Sequence, residues 1–280
     1  MVSSGQEITV QALEDDELKR PFVESLLRYI DVIIIKSNPR ALCFEEKSIV
    51  VPQVGMFTLK DVFSRVTGRD EFKGNQQQDA CEALDCLLSN VPSYSFCCYE
   101  YQWNFECSRC HLQRTTATEI GNVLRVPVPH HETSQVFCLK NAILKTLTGE
   151  EDFEVNCPRR ERHGCESTNA KRGMSILTAP TFLVVQALLF AFQGGIQQKL
   201  PHQCIPVQEI DIQVGGQIHR YKLLCIIEHV GPTMDVGHYK SYFQRSGTWF
   251  QVDDSNHNIV GIDGLPKQPY ISVYFKDASI

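Results

Sequence analysis

Hydrophobic and polar positions follow two different periods along this 280-residue chain. Residues 5–95 mostly follow helical spacing, most clearly in the segment NQQQDACEALDCLLSN, residues 75–90. Its apolar residues recur at the spacing of one helical face: Ala80, Ala83, Leu84, Leu87 and Leu88. Upstream, Thr58 in TLKDVFSRV is a plausible helix N-cap, with Asp61 three residues on. The first third of the chain is therefore predicted to be a helical lobe.

From about Phe96 the pattern changes to aromatic and β-branched runs that are typical of strands. Seven runs have this character: FCCYEYQWNF, TTATEIGNVLRVPV, TFLVVQALLF, YKLLCIIEHV, HYKSYF, TWFQVD and YISVYFK. One helix is predicted between them, at LKNAILKTL, residues 139–147. A helical lobe followed by a largely antiparallel β region is an α+β arrangement.

Composition excludes several classes of protein. A hydrophobic fraction of 42% and a charged fraction of 21% are those of a folded globular chain. The net charge of -6, without a basic block, argues against a nucleic-acid partner. The start MVSSGQEITV lacks the features of a secretory signal, and the apolar run at 182–192 is too short to cross a bilayer. We therefore expect no membrane partner, a cytoplasmic or nuclear location, and twelve cysteines that act as reduced thiols, metal ligands or a nucleophile.

A predicted hairpin brings a histidine near an aspartate. HYKSYFQ and TWFQVD flank the short segment RSG, so the two strands are expected to pair through a tight loop. A loop at Arg245 and Ser246 would place His238 directly opposite Asp253, and a loop one residue later would leave the two diagonal on the same face. A three-residue loop would bring Asp254 across instead. Spacing therefore predicts a His–Asp pair but leaves the choice of aspartate open.

Three ordered motifs resemble the peptidase domain of ubiquitin-specific proteases, the papain-like cysteine deubiquitinases. The series YKLLCIIEHVGPTMDVGHYKSYF, TWFQVDDS and YISVYF is similar to the histidine box of that family. GNQQQDACEALDCLL resembles its QQDAHEFL helix, and KRGMSILTAPTFLVVQALLF resembles its KR...I...P..L.....LKRF strand. The resemblance runs from about residue 70 to the C-terminus. It implies one domain over residues 1–280, with a helical thumb (1–95), β-rich zinc-knuckle fingers and the start of the palm (96–195), and an antiparallel β palm (196–280).

The resemblance also implies roles for individual residues. His238 would be the general base and Asp253, the first of the acidic pair, its orienting partner, with Asp254 as the second choice. Gln77, Asp79 and Tyr239 would bind the tail of ubiquitin, and the loop PTMDV before Gly237 would gate the tail channel. No cofactor is expected for this chemistry. The start of the QQQDACEAL segment also has a purely structural interpretation, in which Asn75 caps the helix and the helix dipole favours Asp79.

A cysteine pair with two intervening residues predicts a structural zinc site. This pair is Cys107 and Cys110 in CSRC, and the second pair would be Cys157 and Cys165 in CPRRERHGC. In the family, a four-cysteine site of this kind holds the tip of the fingers. Seven residues separate the second pair here instead of two, so a set in which His163 replaces Cys157 stays open, as does a knuckle of reduced thiols without metal.

The nucleophile departs from the family pattern. Members begin the helical lobe with a motif like GNTCYMNSVLQAL, in which the cysteine opens a helix and an upstream asparagine donates to the oxyanion. Here VQAL, residues 10–13, aligns with the end of that motif, which places Ser4 in the nucleophile register and SSGQEI where TCYMNS is expected. Cys43, Cys81 and Cys86 have no sequence feature that would bring them to the base.

Two hypotheses about function follow. The first is a cysteine-type deubiquitinase that hydrolyses ubiquitin isopeptide bonds, catalytically impaired in this chain because the cysteine box is missing. The second is a pseudoenzyme that keeps the ubiquitin-binding surfaces and acts as a scaffold. Both predict ubiquitin or ubiquitinated proteins as partners.

Overall fold

A computed structural model describes residues 69, 78–90, 96–128, 136–149, 151–193, 195–234, 236–245, 247–254 and 256–277. The chain divides into two compact units, residues 1–93 and 94–280, which are described separately. Most of the predicted helical lobe, including Thr58, lies outside the described residues. Within the described part of the chain, every helix is too short or too polar to cross a membrane.

The described helix of the first unit is α1, Ala80–Asn90. The carboxylate of Asp79 accepts a hydrogen bond from the backbone N–H of Glu82 at 2.8 Å, so Asp79 itself caps the helix start. The predicted cap, Asn75, lies outside the described residues. Four residues of the predicted apolar face are buried: Ala80, Ala83, Leu84 and Leu88. Helical periodicity therefore identified the buried face correctly.

The second unit contains seventeen described strands and two α-helices, and the strands outnumber those the sequence predicts. The helices are α2 (Leu139–Thr148) and α3 (Arg160–His163). The strands are β1 (Tyr99–Cys107), β2 (Gln113–Thr115), β3 (Glu119–Gly121), β4 (Val123–Pro127), β5 (Val136–Cys138), β6 (Glu151–Glu154), β7 (Asn169–Ile176), β8 (Phe182–Leu188), β9 (Phe190–Gln193), β10 (Ile196–Lys199), β11 (Gln203–Ile205), β12 (Glu209–Val214), β13 (Gln217–Val230), β14 (His238–Arg245), β15 (Thr248–Asp253), β16 (Asn256–Val260) and β17 (Pro269–Lys276). A 3-10 turn, Ile262–Gly264, precedes β17.

The larger sheet has eight strands in the order β16-β15-β14-β13-β17-β8-β4, with β12 paired to β13 at one side. Its central strands are buried on both faces, which explains why their sequences are nearly continuous apolar runs. The pairs are antiparallel except for β4 with β8, which run parallel. The apolar run 182–192, predicted to be a buried strand or helix, forms β8 and most of β9.

The smaller sheet has five strands in the order β2-β1-β7-β6, with β3 also paired to β1. The guanidinium of Arg172 in β7 lies 4.5 Å from the ring centroid of Trp103 and 4.1 Å from that of Phe153. Its Nε and Nη2 donate to one carboxylate oxygen of Glu151 at 3.0 and 2.7 Å. Cation–π contacts and an ion pair thus join three strands of this sheet around one side chain.

Candidate active site and candidate metal centre

The register of the β14–β15 hairpin decides which aspartate meets His238. Arg245 pairs with Thr248, so two positions connect the strands, and the second of them, Gly247, adopts φ +80°. This register leaves His238 and Asp253 diagonal on one face of the sheet, one of the three arrangements that spacing allows. Asp254 lies just beyond the strand, exposed, with φ +53°.

His238 and Asp253 form a direct contact. The Nε2 atom of His238 lies 2.5 Å from Oδ1 of Asp253, and the two side chains are 38% and 29% exposed. Lys240 Nζ lies 2.9 Å from the second oxygen, Oδ2, of the same carboxylate. Because Nε2 faces Asp253, the Nδ1 atom is the ring nitrogen left to take a proton from another group.

These contacts keep Asp253 ionised. Partial burial acts to raise the pKa of the Asp253 carboxyl, but the hydrogen bonds from His238 and Lys240 and the positive charge of Lys240 outweigh it and hold the pKa below its usual value. The carboxylate can therefore fix the orientation and tautomer of the imidazole and stabilise the imidazolium that forms on protonation.

A second histidine is buried directly behind this hairpin. His229 in β13 is 0% exposed, and its ring packs at 4.9 Å from Tyr239 and 5.3 Å from Phe190, centroid to centroid. Neither ring nitrogen of His229 has a hydrogen-bond partner among the described residues. Burial and then the nearby charge of Lys199 lower the pKa of His229 to about 4. The ring is therefore neutral near pH 7.

The predicted gating loop contacts the β9–β10 hairpin. The backbone N–H of Lys199 donates to the carbonyl of Pro232 at 2.9 Å, and the Lys199 ammonium donates to the carbonyl of His229. Gln197 Nε2 lies 3.0 Å from Sδ of Met234. Two contacts thus link β10 to the segment between β13 and β14, and a third links β10 to β13 itself.

The structure describes only some of the other predicted site residues. Tyr239, predicted to line the tail channel, is 2% exposed, and its ring packs against His229 and Tyr270. Asp79 is half-buried and caps α1.

Gln77 and Ser4 lie outside the described residues, as does Cys43. Cys81 is buried on α1, whereas the half-buried Cys86 accepts a hydrogen bond from Arg69 at 3.3 Å and so has a polar contact.

Four cysteines from two segments meet at the end of the smaller sheet. The Sγ atoms of Cys107 and Cys165 lie 3.8 Å apart and those of Cys110 and Cys157 lie 3.6 Å apart, and all four lie within 4.8 Å of one another. Zinc–thiolate bonds of about 2.3 Å in tetrahedral geometry require sulfur–sulfur separations of about 3.8 Å. The donor set and its spacing therefore fit a zinc ion.

The seven residues between the two cysteines of the second pair include a turn of helix. Helix α3 lies between Cys157 and Cys165, ends at Gly164 with φ +65°, and returns the chain so that the Cys165 N–H donates to the carbonyl of Arg159 at 3.4 Å. His163 is exposed and does not join the group of four thiols. The group that the described side chains form therefore contains Cys157, and His163 is not part of it.

The local backbone favours a thiolate at the first cysteine. Hydrogen bonds from the backbone N–H groups of Cys110 and Arg109 lower the pKa of the Cys107 thiol to about 6. Three of the four cysteines are buried: Cys107, Cys157 and Cys165. A buried cluster with one pre-ionised sulfur is what a structural metal site needs.

Sequence reasoning missed two residues of the strands that carry the histidine box, Lys240 on the face of His238 and His229 on the opposite face. Lys240 follows His238 by two positions, so strand alternation alone places both on one face. The residues around His229 in the sequence do not predict that its side chain is fully buried. The same apolar neighbours would be found in a central strand and in an edge strand.

Comparison with known proteins identifies the family. The sequence profile of the ubiquitin carboxyl-terminal hydrolase family matches residues 32–274. The chain is 29% identical over 109 residues to ubiquitin carboxyl-terminal hydrolase 10 of Saccharomyces cerevisiae, covering 37% of this chain and 14% of that protein. It is 30% identical over 160 residues to ubiquitin carboxyl-terminal hydrolase 25 of Arabidopsis thaliana, covering 55% of this chain and 23% of that protein.

Solved structures share the fold. The SAGA Ubp8/Sgf11/Sus1/Sgf73 DUB module bound to ubiquitin aldehyde matches with a TM-score of 0.63 at 18% identity, covering 91% of this chain and 64% of the other. The same module bound to monoubiquitin matches with a TM-score of 0.61 at 19% identity, covering 80% and 54%. These matches define a papain-like fold of the ubiquitin-specific protease type.

The chain belongs to the ubiquitin carboxyl-terminal hydrolase family. It spans less than a quarter of the length of the two curated relatives it matches.

Proposed function

We propose that this chain is a ubiquitin-binding domain of a cysteine-type deubiquitinase, in which His238 is the general base and Asp253 orients it. The observation that supports this most directly is the 2.5 Å contact between His238 Nε2 and Asp253 Oδ1. It leaves Nδ1 to accept the thiol proton of a cysteine, whose thiolate then attacks the carbonyl of the isopeptide bond. The imidazolium returns the proton to the leaving amine.

We assign recognition of the ubiquitin tail to Gln77, Asp79 and Tyr239, with the loop PTMDV, residues 232–236, as the gate. Asp79 and Gln77 carry acceptors suited to basic side chains. Tyr239 is buried against His229, so its role is to form the floor of the site through its ring rather than to expose its whole side chain to the tail.

We infer that turnover by this 280-residue sequence is impaired, because Ser4 occupies the nucleophile register and the first cysteine of the sequence is Cys43. A serine there is a weaker nucleophile than a cysteine at neutral pH. The second candidate function, a pseudoenzyme that binds ubiquitin as a scaffold, is favoured by the same substitution.

The test combines a covalent probe with a binding titration. The full chain is treated with ubiquitin that carries a C-terminal propargylamide, and plain ubiquitin is titrated in parallel by calorimetry. We expect binding of plain ubiquitin without covalent labelling. Labelling of any cysteine in the unmodified chain would contradict the inference that turnover is impaired. Absence of ubiquitin binding would contradict the assignment of ubiquitin as the partner.

A pair of variants tests whether Ser4 occupies the nucleophile position of the family motif. Ser4→Cys is expected to become labelled by the probe, whereas the neighbouring Ser3→Cys is expected to stay unlabelled. Adding His238→Gln to Ser4→Cys should abolish the labelling, since the thiol then lacks its base. Equal labelling of the two serine variants would show that the reaction is not directed by the site.

We also propose that Cys107, Cys110, Cys157 and Cys165 hold a structural zinc ion. The four sulfur atoms within 4.8 Å of one another support this, and bound zinc would cross-link the strands that carry them. Metal analysis of freshly purified chain should give about one zinc per molecule. Cys165→Ser should lose it, whereas the matched control His163→Ala should retain it. Equal zinc content in both variants would overturn the assignment.

A further inference from the structure

One carboxylate contacts both a histidine and a lysine at the histidine box. Asp253 Oδ1 contacts His238 Nε2 at 2.5 Å, and Asp253 Oδ2 contacts Lys240 Nζ at 2.9 Å. His238 and Lys240 are two residues apart on β14, so their side chains leave the same face of the sheet. The arrangement does not depend on flexible loops, because β14 is paired on both sides, to β13 and β15.

A second carboxylate lies across from Lys240, on the neighbouring strand β13. Glu228 in β13 is its cross-strand partner, and the Glu228 carboxylate accepts a hydrogen bond from Tyr242 at 2.9 Å. Gln251 in turn donates to the Tyr242 hydroxyl at 3.0 Å. A polar row therefore crosses three strands on the face that carries His238, with Lys240 between two carboxylates.

Electrostatics give this row a consequence for His238. A carboxylate in contact with an imidazole favours the protonated ring, and a cation on the other oxygen of that carboxylate opposes this effect. The Lys240 and Asp253 side chains are 27% and 29% exposed, so water screens the interaction only in part. Among the residues that the structure describes, the charged groups near His238 include Asp253, Asp254 beyond the strand end, and Lys240, with Glu228 on the neighbouring strand β13.

We propose that Lys240 is a positioning residue that holds the Asp253 carboxylate for His238 and, by its charge, opposes the protonation of the imidazole that Asp253 favours. The catalytic meaning of this assignment rests on the proposed function. The electrostatic link between the three side chains does not, and it can be measured in a chain that lacks a nucleophile.

The experiment is a pH titration of the histidine rings in the full chain by ¹H–¹³C NMR. The His238 resonance is identified by its loss in His238→Gln. In Lys240→Met the titration midpoint of His238 is expected to rise by about 0.3 to 1 pH unit relative to the unmodified chain. Lys240→Gln, a second neutral variant, should give the same direction, and Lys240→Arg should stay within about 0.2 pH unit because the charge is kept.

A matched control uses another lysine–aspartate pair of the same sheet. Lys222 Nζ lies 2.7 Å from Asp277 Oδ2, and Lys222→Met should leave the His238 midpoint unchanged. An unchanged or lowered midpoint in both neutral Lys240 variants would overturn the proposal. Ubiquitin binding is measured on the same samples: a shifted midpoint without binding would sink the proposed function alone, and binding without a shift would sink the role of Lys240 alone.

Discussion

The backbone at Gly237 packs directly against the buried ring of His229. A Cβ atom at Gly237 would lie 2.9 Å from the carbonyl oxygen of Val230 and would overlap the imidazole of His229. Gly231, at the other end of the same loop, would meet the His229 ring at 3.0 Å. The two glycines of the loop are therefore required by close packing against one buried ring.

Gly237→Ala is expected to lower the free energy of unfolding by about 1–3 kcal/mol, because neither a paired strand nor a buried ring can retreat easily. Chemical denaturation measures the change. Gly261→Ala is the control, since nothing lies within 4 Å of a Cβ there and φ is -76°. Equal stabilities of the two variants would contradict the packing argument.

His229 predicts a pH-dependent stability. Its pKa is about 4 in the folded chain and about 6.5 for an exposed histidine, so the unfolded state binds a proton between these values that the folded state does not. Stability is therefore full above about pH 6.5 and falls as the pH approaches 4. Between pH 7 and pH 5 the free energy of unfolding should drop by about 1–2 kcal/mol more in the unmodified chain than in His229→Phe. Parallel pH profiles for the two proteins would contradict this explanation.

At the scale of elements, the smaller sheet depends on one arginine. Arg172 is 22% exposed and combines two ring contacts with the Glu151 ion pair. A second arginine pair, Arg220 with Asp211, has good bidentate geometry but is about twice as exposed, at 42% and 44%. The two pairs differ mainly in burial and in aromatic contact.

Arg172→Lys should therefore cost about 1–2 kcal/mol of unfolding free energy, because an ammonium cannot stack on both rings and bind the carboxylate at once. Arg220→Lys should cost no more than about 0.5 kcal/mol, since exposed ion pairs contribute little. Urea denaturation of both variants makes the comparison. A larger loss at Arg220 than at Arg172 would show that ring stacking is unimportant here.

The sequence predicted some helices and strands accurately and did not predict others as separate elements. The strand over Thr248–Asp253 and the helix starting at Leu139 were located within a residue, because aromatic alternation and amphipathic spacing are strong local signals. Strands such as β7 and β12 were not predicted as separate elements, since β7 contains Asn169, Lys171 and Gly173 and owes its conformation to pairing with β1 and β6.

At the scale of the whole molecule, the four cysteines join segments that are far apart in sequence. Cys107 and Cys165 are separated by 58 positions, and their sulfur atoms lie 3.8 Å apart. A metal ion at this point would close a long loop of the chain and restrict the unfolded state.

Zinc removal should therefore destabilise the chain. Treatment with a strong zinc chelator is expected to lower the melting temperature by at least about 5 °C, and added Zn²⁺, but not Mg²⁺, should restore it. Differential scanning calorimetry follows both steps, with Cys165→Ser as the variant that no longer responds. A melting temperature that is unchanged after the metal has been stripped would contradict a structural role.

The sequence by itself determined the features that depend on near neighbours: the amphipathic helix that carries Asp79, the hairpin that carries His238, the CSRC knuckle, and the ordered motifs that match the family. Local periodicity decides these, because two to four residues set which face a side chain occupies.

Only the tertiary structure brought Asp253 into contact with His238 and grouped Cys157 with three other thiols. It also placed Lys240 on the second oxygen of Asp253 and buried His229 against Tyr239. Each of these outcomes depends on a loop conformation or on pairing between distant strands. A shift of one residue in the β14–β15 register would bring a different aspartate to His238, which is why residue spacing alone left that choice open.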